Sequence, residues 1–163
     1  MGSDSDLNTL KPAIDILREF RIKTEVCILS AHRTPIEMME YAKNAESENI
    51  KVIIAGAGGA AHLPGMLASI TCIPIIGVPV ESKTLKGIDS LLSIVQMPAG
   101  IPVATVAING AQNAGLLAIE MISLFDASIK KTLKEFRENL HTQVRTKNSK
   151  LSTIGPDNYL QNK

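Results

Sequence analysis

Apolar residues recur along this chain in two alternating rhythms. Short β-branched runs at residues 23–29, 51–55, 73–80 and 103–108 have the character of strands, and the stretches between them repeat their apolar positions at helical spacing. Three of the runs are nearly continuous in apolar residues, as strands covered on both faces must be, and parallel neighbours require helix-length connections of this kind. The pattern predicts a single-domain α/β fold of three αβα layers, with an open parallel doubly wound sheet of the Rossmann or flavodoxin type.

Helix starts are marked by side chains that can satisfy free backbone N–H groups. Ser5 and Asp6 can cap a helix running to about residue 20, and Thr34, Pro35 and Glu37 match a capping box with proline at the first helical position, opening a helix to about residue 48. Residues 63–70 and 88–96 suit shorter helices, 111–124 a longer one, and 128–145 a charged amphipathic helix. The α/β domain so drawn spans residues 1–146, and the polar stretch 147–163, which contains Gly155 and Pro156, is expected to be loosely ordered.

Composition narrows the partners. The 163 residues carry 17 Lys plus Arg against 16 Asp plus Glu, a net charge of +1, so general polyanion binding is unsupported and neither nucleic acid nor an anionic membrane is expected. Aromatic residues make up only 3%, with no Trp, which removes the stacking platforms of single-strand nucleic-acid sites. The interior must be built from Ile, Val, Leu, Ala and Met. The longest apolar runs are broken by proline and too short to span a bilayer, and no signal peptide precedes them, so the cytoplasm is the expected compartment. Cys27 and Cys72 are expected to be buried thiols rather than a disulfide framework.

In open parallel sheets, ligands bind beyond the carboxyl ends of the strands, which directs attention to four loops. In Gly2 to Asp6, free N–H groups at a helix start and the hydroxyl of Ser3 suit a phosphate, while Asp6, which would repel one, suits a sugar hydroxyl; a plain N-cap is the alternative. Ser30-Ala31-His32-Arg33 offers an imidazole that titrates near neutral pH beside a guanidinium that can fork onto an anion. Two cations at the positive end of a helix are unfavourable without such an anion. Residues 56–62, Gly-Ala-Gly-Gly-Ala-Ala-His, strip side chains from a strand-to-helix turn, so a ligand can lie against bare backbone there. The fourth loop is the Gly/Asn segment 109–113.

The third loop also imitates a dinucleotide fingerprint, with Gly56, Gly58 and Ala61 matching G-x-G-x-x-A and Glu81 standing where the ribose-binding acid would be. A lone match of that motif in a later βα unit of a one-domain chain is weak. His62 can either donate to a ligand or cap the local turn, and His141 falls on a charged helix expected at the surface. The three histidines show no paired metal-ligand spacing, and neither a Walker loop nor a nucleophile elbow occurs.

Taken in order, Gly2-Ser-Asp-Ser-Asp6, Ser30-Ala-His-Arg-Thr-Pro35, the Gly/Ala/His loop 55–65, Gly77-Val-Pro-Val80 and the segment 89–102 resemble the bacterial-type N5-carboxyaminoimidazole ribonucleotide mutases of purine biosynthesis. The resemblance runs from residue 1 to about residue 124. It implies a metal-free and cofactor-free isomerisation that moves a carboxylate from an exocyclic nitrogen to ring carbon C4 by decarboxylation and recarboxylation. By resemblance His32 is the catalytic proton carrier. Ser3, Asp6 and Arg33 hold the ribose phosphate, Gly58 lies along the imidazole and carboxylate, and Ser30 and His62 complete the substrate-binding set. A homo-octamer with sites near subunit contacts is implied too.

Two departures from that family stand out. Its members carry a strand ahead of the Gly-Ser loop, whereas Met1 here opens directly into the loop, so an exposed sheet edge and a looser phosphate site are expected. The connection 107–113 is also shorter than the family's usual glycine-rich one, which bears on local subunit or substrate contacts. The competing functions are a carboxylase acting on aminoimidazole ribonucleotide with free carbon dioxide, a non-catalytic ribonucleotide-binding module and, more distantly, a dinucleotide-dependent oxidoreductase.

Overall fold

Strands β1 (Ile53–Gly58) and β2 (Ile75–Val80) pair in parallel along their whole length, from Ile53 opposite Ile75 to Gly58 opposite Val80. A short β3 (Ala104–Thr105) lies parallel on the far edge of β2, giving the order β1-β2-β3 in this computed structural model, which describes residues 1–161. The helices are α1 (Leu7–Glu19), α2 (Pro35–Asn44), α3 (Leu63–Ala68), α4 (Ile88–Val95), α5 (Ala111–Ser123) and α6 (Ala127–Gln161). Every residue of β2 is buried, as its continuous apolar sequence requires of a strand covered on both faces.

Two hydrophobic clusters sandwich the sheet. On one face Met38 and Ala42 of α2, Leu63 and Leu67 of α3 and Ile94 of α4 pack against Ile53, Ala55 and Ala57 of β1. On the other, Leu10, Ala13, Ile16 and Leu17 of α1 and Ala114, Ala118 and Ile119 of α5 pack against Ile76 and Val78 of β2. The predicted three-layer α/β architecture is therefore present. α6 is docked at its start by Leu133 and by an edge-on contact between Phe136 and Phe20, ring centroids 5.7 Å apart.

The structure departs from the sequence pattern at several places, each for a physical reason. Residues 23–29 form no strand, because no ladder runs beside them: the Met1 ammonium donates to the Cys27 carbonyl (3.0 Å) and Leu29 N–H donates to the Met1 carbonyl (2.8 Å). On its other side Gly2 N–H donates to the Gly56 carbonyl (3.2 Å), so Met1 and Gly2 bridge from that segment to β1. Behind them lies an open groove of about 410 Å³. Val26 and Ile28 of the segment are exposed. The Gly-Ser loop itself is anchored on both flanks by these bonds.

Of the run 103–108 only Ala104 and Thr105 pair, opposite Ile76 and Gly77; beyond them the chain keeps single bonds to β2, from Val106 N–H to the Gly77 carbonyl (3.2 Å) and from Asn109 N–H to the Pro79 carbonyl (2.8 Å), as it turns into α5. The Thr34 side chain does not cap α2; it accepts from Ser30 N–H (2.9 Å) and donates to the Ser30 carbonyl (3.2 Å), closing the loop that carries His32. The capping box lies instead at Ser3 and Asp6. The stretch from 147 onward is helical to Gln161, with one break at Gly155 (φ 74°) beside Pro156. Both cysteines are free as expected, but Cys72 is exposed and Cys27 only half-buried.

α1 crosses α5 at Gly115, where a Cβ would fall 2.4 Å from Ile16 Cγ2 and 3.2 Å from the Ala13 carbonyl. Neither neighbour can retreat, since one is core and the other backbone. Gly115→Val is expected to cost about 1–3 kcal/mol by overpacking. Urea unfolding checks this as a lower midpoint at unchanged slope, and an unshifted midpoint would show that the crossing has slack.

Candidate active site

The carboxyl ends of β1 and β2 lie level, so the loops that leave them face the start of α1 and the loop before α2 across one cleft. The resulting pocket has a volume of about 540 Å³, within the usual range for small-molecule sites. Ser3, Asp6, Ser30, His32, Arg33, Gly58 and His62 all line it, so three of the four loops singled out from the sequence meet here, whereas the Gly/Asn segment 109–113 does not line the pocket.

The phosphate-type end is built by the loop 2–6. Ser3 N–H donates to Asp6 Oδ2 (3.1 Å), Ser5 N–H donates to Ser3 Oγ (3.3 Å), and Ser5 Oγ lies 2.9 Å from Ser3 Oγ. Two hydroxyls thus gather at a helix start. Asp6 is buried, and that desolvation pushes its carboxyl above the usual aspartate range, although hydrogen bonds from Ser3 and Ser5 and the nearby terminal ammonium pull back. A carboxylate held this way accepts hydrogen bonds strongly, which suits a sugar hydroxyl beside a phosphate.

Arg33 closes the same end from the opposite loop. Its guanidinium donates to the Gly2 carbonyl (3.2 Å), while its backbone N–H and Nε both donate to Ser30 Oγ (3.2 and 3.5 Å). Among the described residues it forms no ion pair, so a full positive charge faces the pocket with only neutral acceptors around it. Such a cation is a ready partner for an anionic ligand.

His32 and His62 meet at the centre. His32 Nε2 lies 2.7 Å from His62 Nδ1, with the rings edge-on at 84° and their centroids 4.8 Å apart. That separation is a hydrogen bond in which either nitrogen can donate according to the tautomer, so the orientation of each ring is tied to the other. His62 occupies the N-cap position of α3 but makes no capping bond, so its side chain serves the pocket rather than the turn. His141 lies on α6 as expected, paired loosely with Glu138 (3.5 Å).

The glycine loop divides its labour in a way that separates it from a dinucleotide fingerprint. A Cβ on Gly56 would strike the Leu10 side chain at 2.8 Å, so this glycine admits α1 to the sheet rather than a pyrophosphate. Gly58 is exposed at the pocket wall. Gly59 takes a φ of 68° and has open space out to 4 Å where a side chain would stand, leaving bare backbone toward a ligand. Glu81 does line the rim, where Asn109 donates from Nδ2 to its Oε2 (3.3 Å) and accepts from its backbone N–H (3.0 Å). Asn109 belongs to the connection 107–113, which these bonds tie to the pocket rim.

Sequence reasoning missed Thr9, Ser82 and Lys83, which also line the pocket. Lys83 carried a signal, a cation just beyond a strand end, whereas Thr9 faces the cleft only because α1 is oriented by the sheet. No group of three His, Cys, Asp or Glu side chains among the described residues is placed to hold a metal ion. No helix among them is long and apolar enough to cross a membrane.

Known proteins resemble this chain over nearly its whole length. The profile of the AIRC family, AIR carboxylase, matches residues 1–143. The chain is 58% identical over 163 residues to the N5-carboxyaminoimidazole ribonucleotide mutase of Thermotoga maritima, covering all of this chain and 95% of that protein. It is 54% identical over 160 residues to the protein of the same name from Synechocystis, covering 98% and 91% of the two chains. The crystal structure of Treponema denticola PurE superposes with a TM-score of 0.85 at 30% identity, over 93% of this chain and 94% of that one. With the family profile spanning most of its length and relatives of this similarity covered nearly end to end, the chain belongs to the AIR carboxylase family.

Proposed function

We propose that this protein is an isomerase of purine biosynthesis that converts N5-carboxyaminoimidazole ribonucleotide to its C4-carboxylated isomer. The observation that carries the reading is the 2.7 Å contact between His32 and His62 at the centre of a pocket whose far end gathers Ser3, Ser5 and Arg33. The names of the similar proteins from Thermotoga and Synechocystis support the same substrate.

The chemistry asked of the site is modest and balanced. The exocyclic N–C bond breaks to release carbon dioxide as a proton reaches the nitrogen; C4 then attacks the carbon dioxide and loses its own proton, restoring the aromatic ring. No electrons are gained or lost overall, and one proton given is one proton recovered. A single imidazole that titrates near ambient pH can do both transfers. His32 is assigned that role, with His62 holding its ring edge-on. Ser3, Ser5 and Arg33 bind the phosphate, Asp6 a ribose hydroxyl, and the bare backbone at Gly58 the flat ring. Ser30 serves by fixing Arg33. No cofactor is assigned a part.

Carbon dioxide must not escape between the two steps, yet His32 and His62 are both exposed in the single chain. We therefore assign closure of the site to neighbouring copies in a homo-octamer. The stripe Ile88, Leu92 and Val95 along α4, with Leu85 in the turn before it and Phe125 at 93% exposure, is apolar surface suited to such contacts. Two free cysteines suit a cytoplasmic setting. Sedimentation as eight-copy particles supports the assembly, and a stable monomer with full activity overturns it.

The test is conversion of N5-carboxyaminoimidazole ribonucleotide by the purified protein without ATP or added bicarbonate. His32→Asn is expected to lower kcat by about 10²–10⁴, the usual contribution of a positioned acid–base group, with substrate binding retained. Turnover close to wild type would remove His32 from the chemistry. Turnover only of aminoimidazole ribonucleotide plus carbon dioxide would favour the carboxylase, and binding without turnover the non-catalytic module.

Asp6 gives a second check. Because burial raises its folded-state pKa above the unfolded value, Asp6 contributes stability that is fully present below the unfolded pKa and lost as pH rises through the folded one. Asp6→Asn cannot ionise, so relative to wild type the variant is expected to gain stability as pH rises across that acid window, while its KM for the ribonucleotide increases. Urea midpoints at several pH values measure the first effect; parallel curves for the two proteins would contradict it.

A further inference from the structure

The pocket wall at Gly58 and Gly59 is held from behind by two side chains that do not line the pocket. Ser90, in the first turn of α4, is fully buried; its Oγ donates to the Val80 carbonyl (2.6 Å) and accepts from Gly59 N–H (2.9 Å). Val80 is the last residue of β2 and Gly59 the first beyond β1, so this one hydroxyl joins the carboxyl ends of both strands. One turn along α4, Ser93 Oγ lies 3.2 Å from the Gly59 carbonyl and 2.7 Å from that of Asp89. Both polar groups of Gly59 are thus engaged by the same helix.

The turn beyond Gly59 makes this grip matter. The Gly59 carbonyl also accepts from Ala61 N–H (2.8 Å), and His62 N–H donates to the Ala60 carbonyl (2.8 Å), so a tight chain of bonds runs from Gly59 to His62. Gly59 sits at a φ of 68°, a conformation whose direction is set by whatever holds its amide and carbonyl. Moving Gly59 therefore moves the ring-facing backbone and the His62 side chain together. The His62 contact to His32 is short enough, at 2.7 Å, that a shift of a few tenths of an ångström weakens it.

We propose that Ser90, assisted by Ser93, is a positioning residue for the isomerisation: it fixes the height of the Gly59–His62 turn against the end of β2 and so sets the His62–His32 geometry and the backbone against the substrate ring. The inference rests on the mutase reading given above. It involves no contact between Ser90 and substrate. A hydroxyl is required at this position because one atom must donate to a carbonyl and accept from an amide at the same time, which alanine cannot do and a thiol does weakly.

The experiment compares wild type with Ser90→Ala, Ser90→Cys and Ser93→Ala, all as full-length protein, using kcat and KM for N5-carboxyaminoimidazole ribonucleotide and the pH profile of kcat/KM, normalised to folded protein by circular dichroism. Ser90→Ala is expected to lower kcat by roughly 10²-fold, the scale set by small misplacements of reacting groups, and to change KM much less. The pH limb attributable to the histidine pair should shift, since their 2.7 Å contact is no longer held at the same distance. Ser90→Cys should recover part of the loss, and Ser93→Ala should show a smaller loss of the same kind.

A purely structural role would leave the folded fraction with wild-type kcat and an unmoved pH profile, and that result overturns the proposal. If Ser90→Ala does not fold, Ser90→Cys and Ser93→Ala decide by the same two readouts. Failure of wild type itself to isomerise the substrate would be a failure of the mutase reading, which the wild-type arm shows separately.

Discussion

The site depends on the register of one pair of parallel strands. With Ile53 opposite Ile75 and Gly58 opposite Val80, β1 and β2 end at the same level, and everything that faces the ligand is arranged around that line. A one-residue slip would reverse the faces of Ile53, Ala55 and Ala57 and bury the wrong set. It would also separate Gly59 from Val80, which Ser90 bridges from below. The apolar sandwich sets the register, and the register aligns the loops.

Close approach by small residues makes the sandwich possible in a chain with only 3% aromatics. Leu10 of α1 seats against Gly56, Ile94 of α4 against Gly77 and Ile16 of α1 against Gly115 of α5. Each contact draws a helix onto the sheet or onto its neighbour. α1 is pulled in at Gly56, and its N-terminal side carries Ser3, Ser5 and Asp6 into the cleft; α4 is pulled in at Gly77, and it brings Ser90 to Gly59. Packing and chemistry therefore share the same glycines, and the likeness of residues 56–61 to a nucleotide-binding fingerprint arises from packing at its first position.

Much of this was legible in the sequence because it is local. Continuous apolar runs marked β1 and β2, helical spacing marked the helices, and loops rich in Ser, Gly, His and Arg beyond strand ends marked the pocket, whose seven expected residues do converge. What escaped depends on partners distant in the chain. Residues 23–29 have strand composition, but a strand exists only where a ladder forms, and here Met1 and Gly2 supply the nearest backbone bonds. Thr34 has the spacing of a capping residue, yet Ser30 offers it both a donor and an acceptor. The helix continuing to Gln161 overrides a polar composition, and Ser90 looks like any helix serine until Gly59, 31 residues away, is placed beside it. The meeting of His32 and His62 across 30 residues is of the same kind.

In the proposed reaction one bound ring gives up carbon dioxide and takes the same molecule back. The most direct measurement of that transfer uses N5-carboxyaminoimidazole ribonucleotide labelled with heavy carbon in the carboxylate, converted by the protein in unlabelled bicarbonate, with the product's C4 carboxylate weighed by mass spectrometry. Retention of most of the label in the product is expected, because the gas passes between two atoms inside the pocket. Label diluted to the composition of the surrounding bicarbonate would contradict it and place this member of the family among enzymes that use free carbon dioxide.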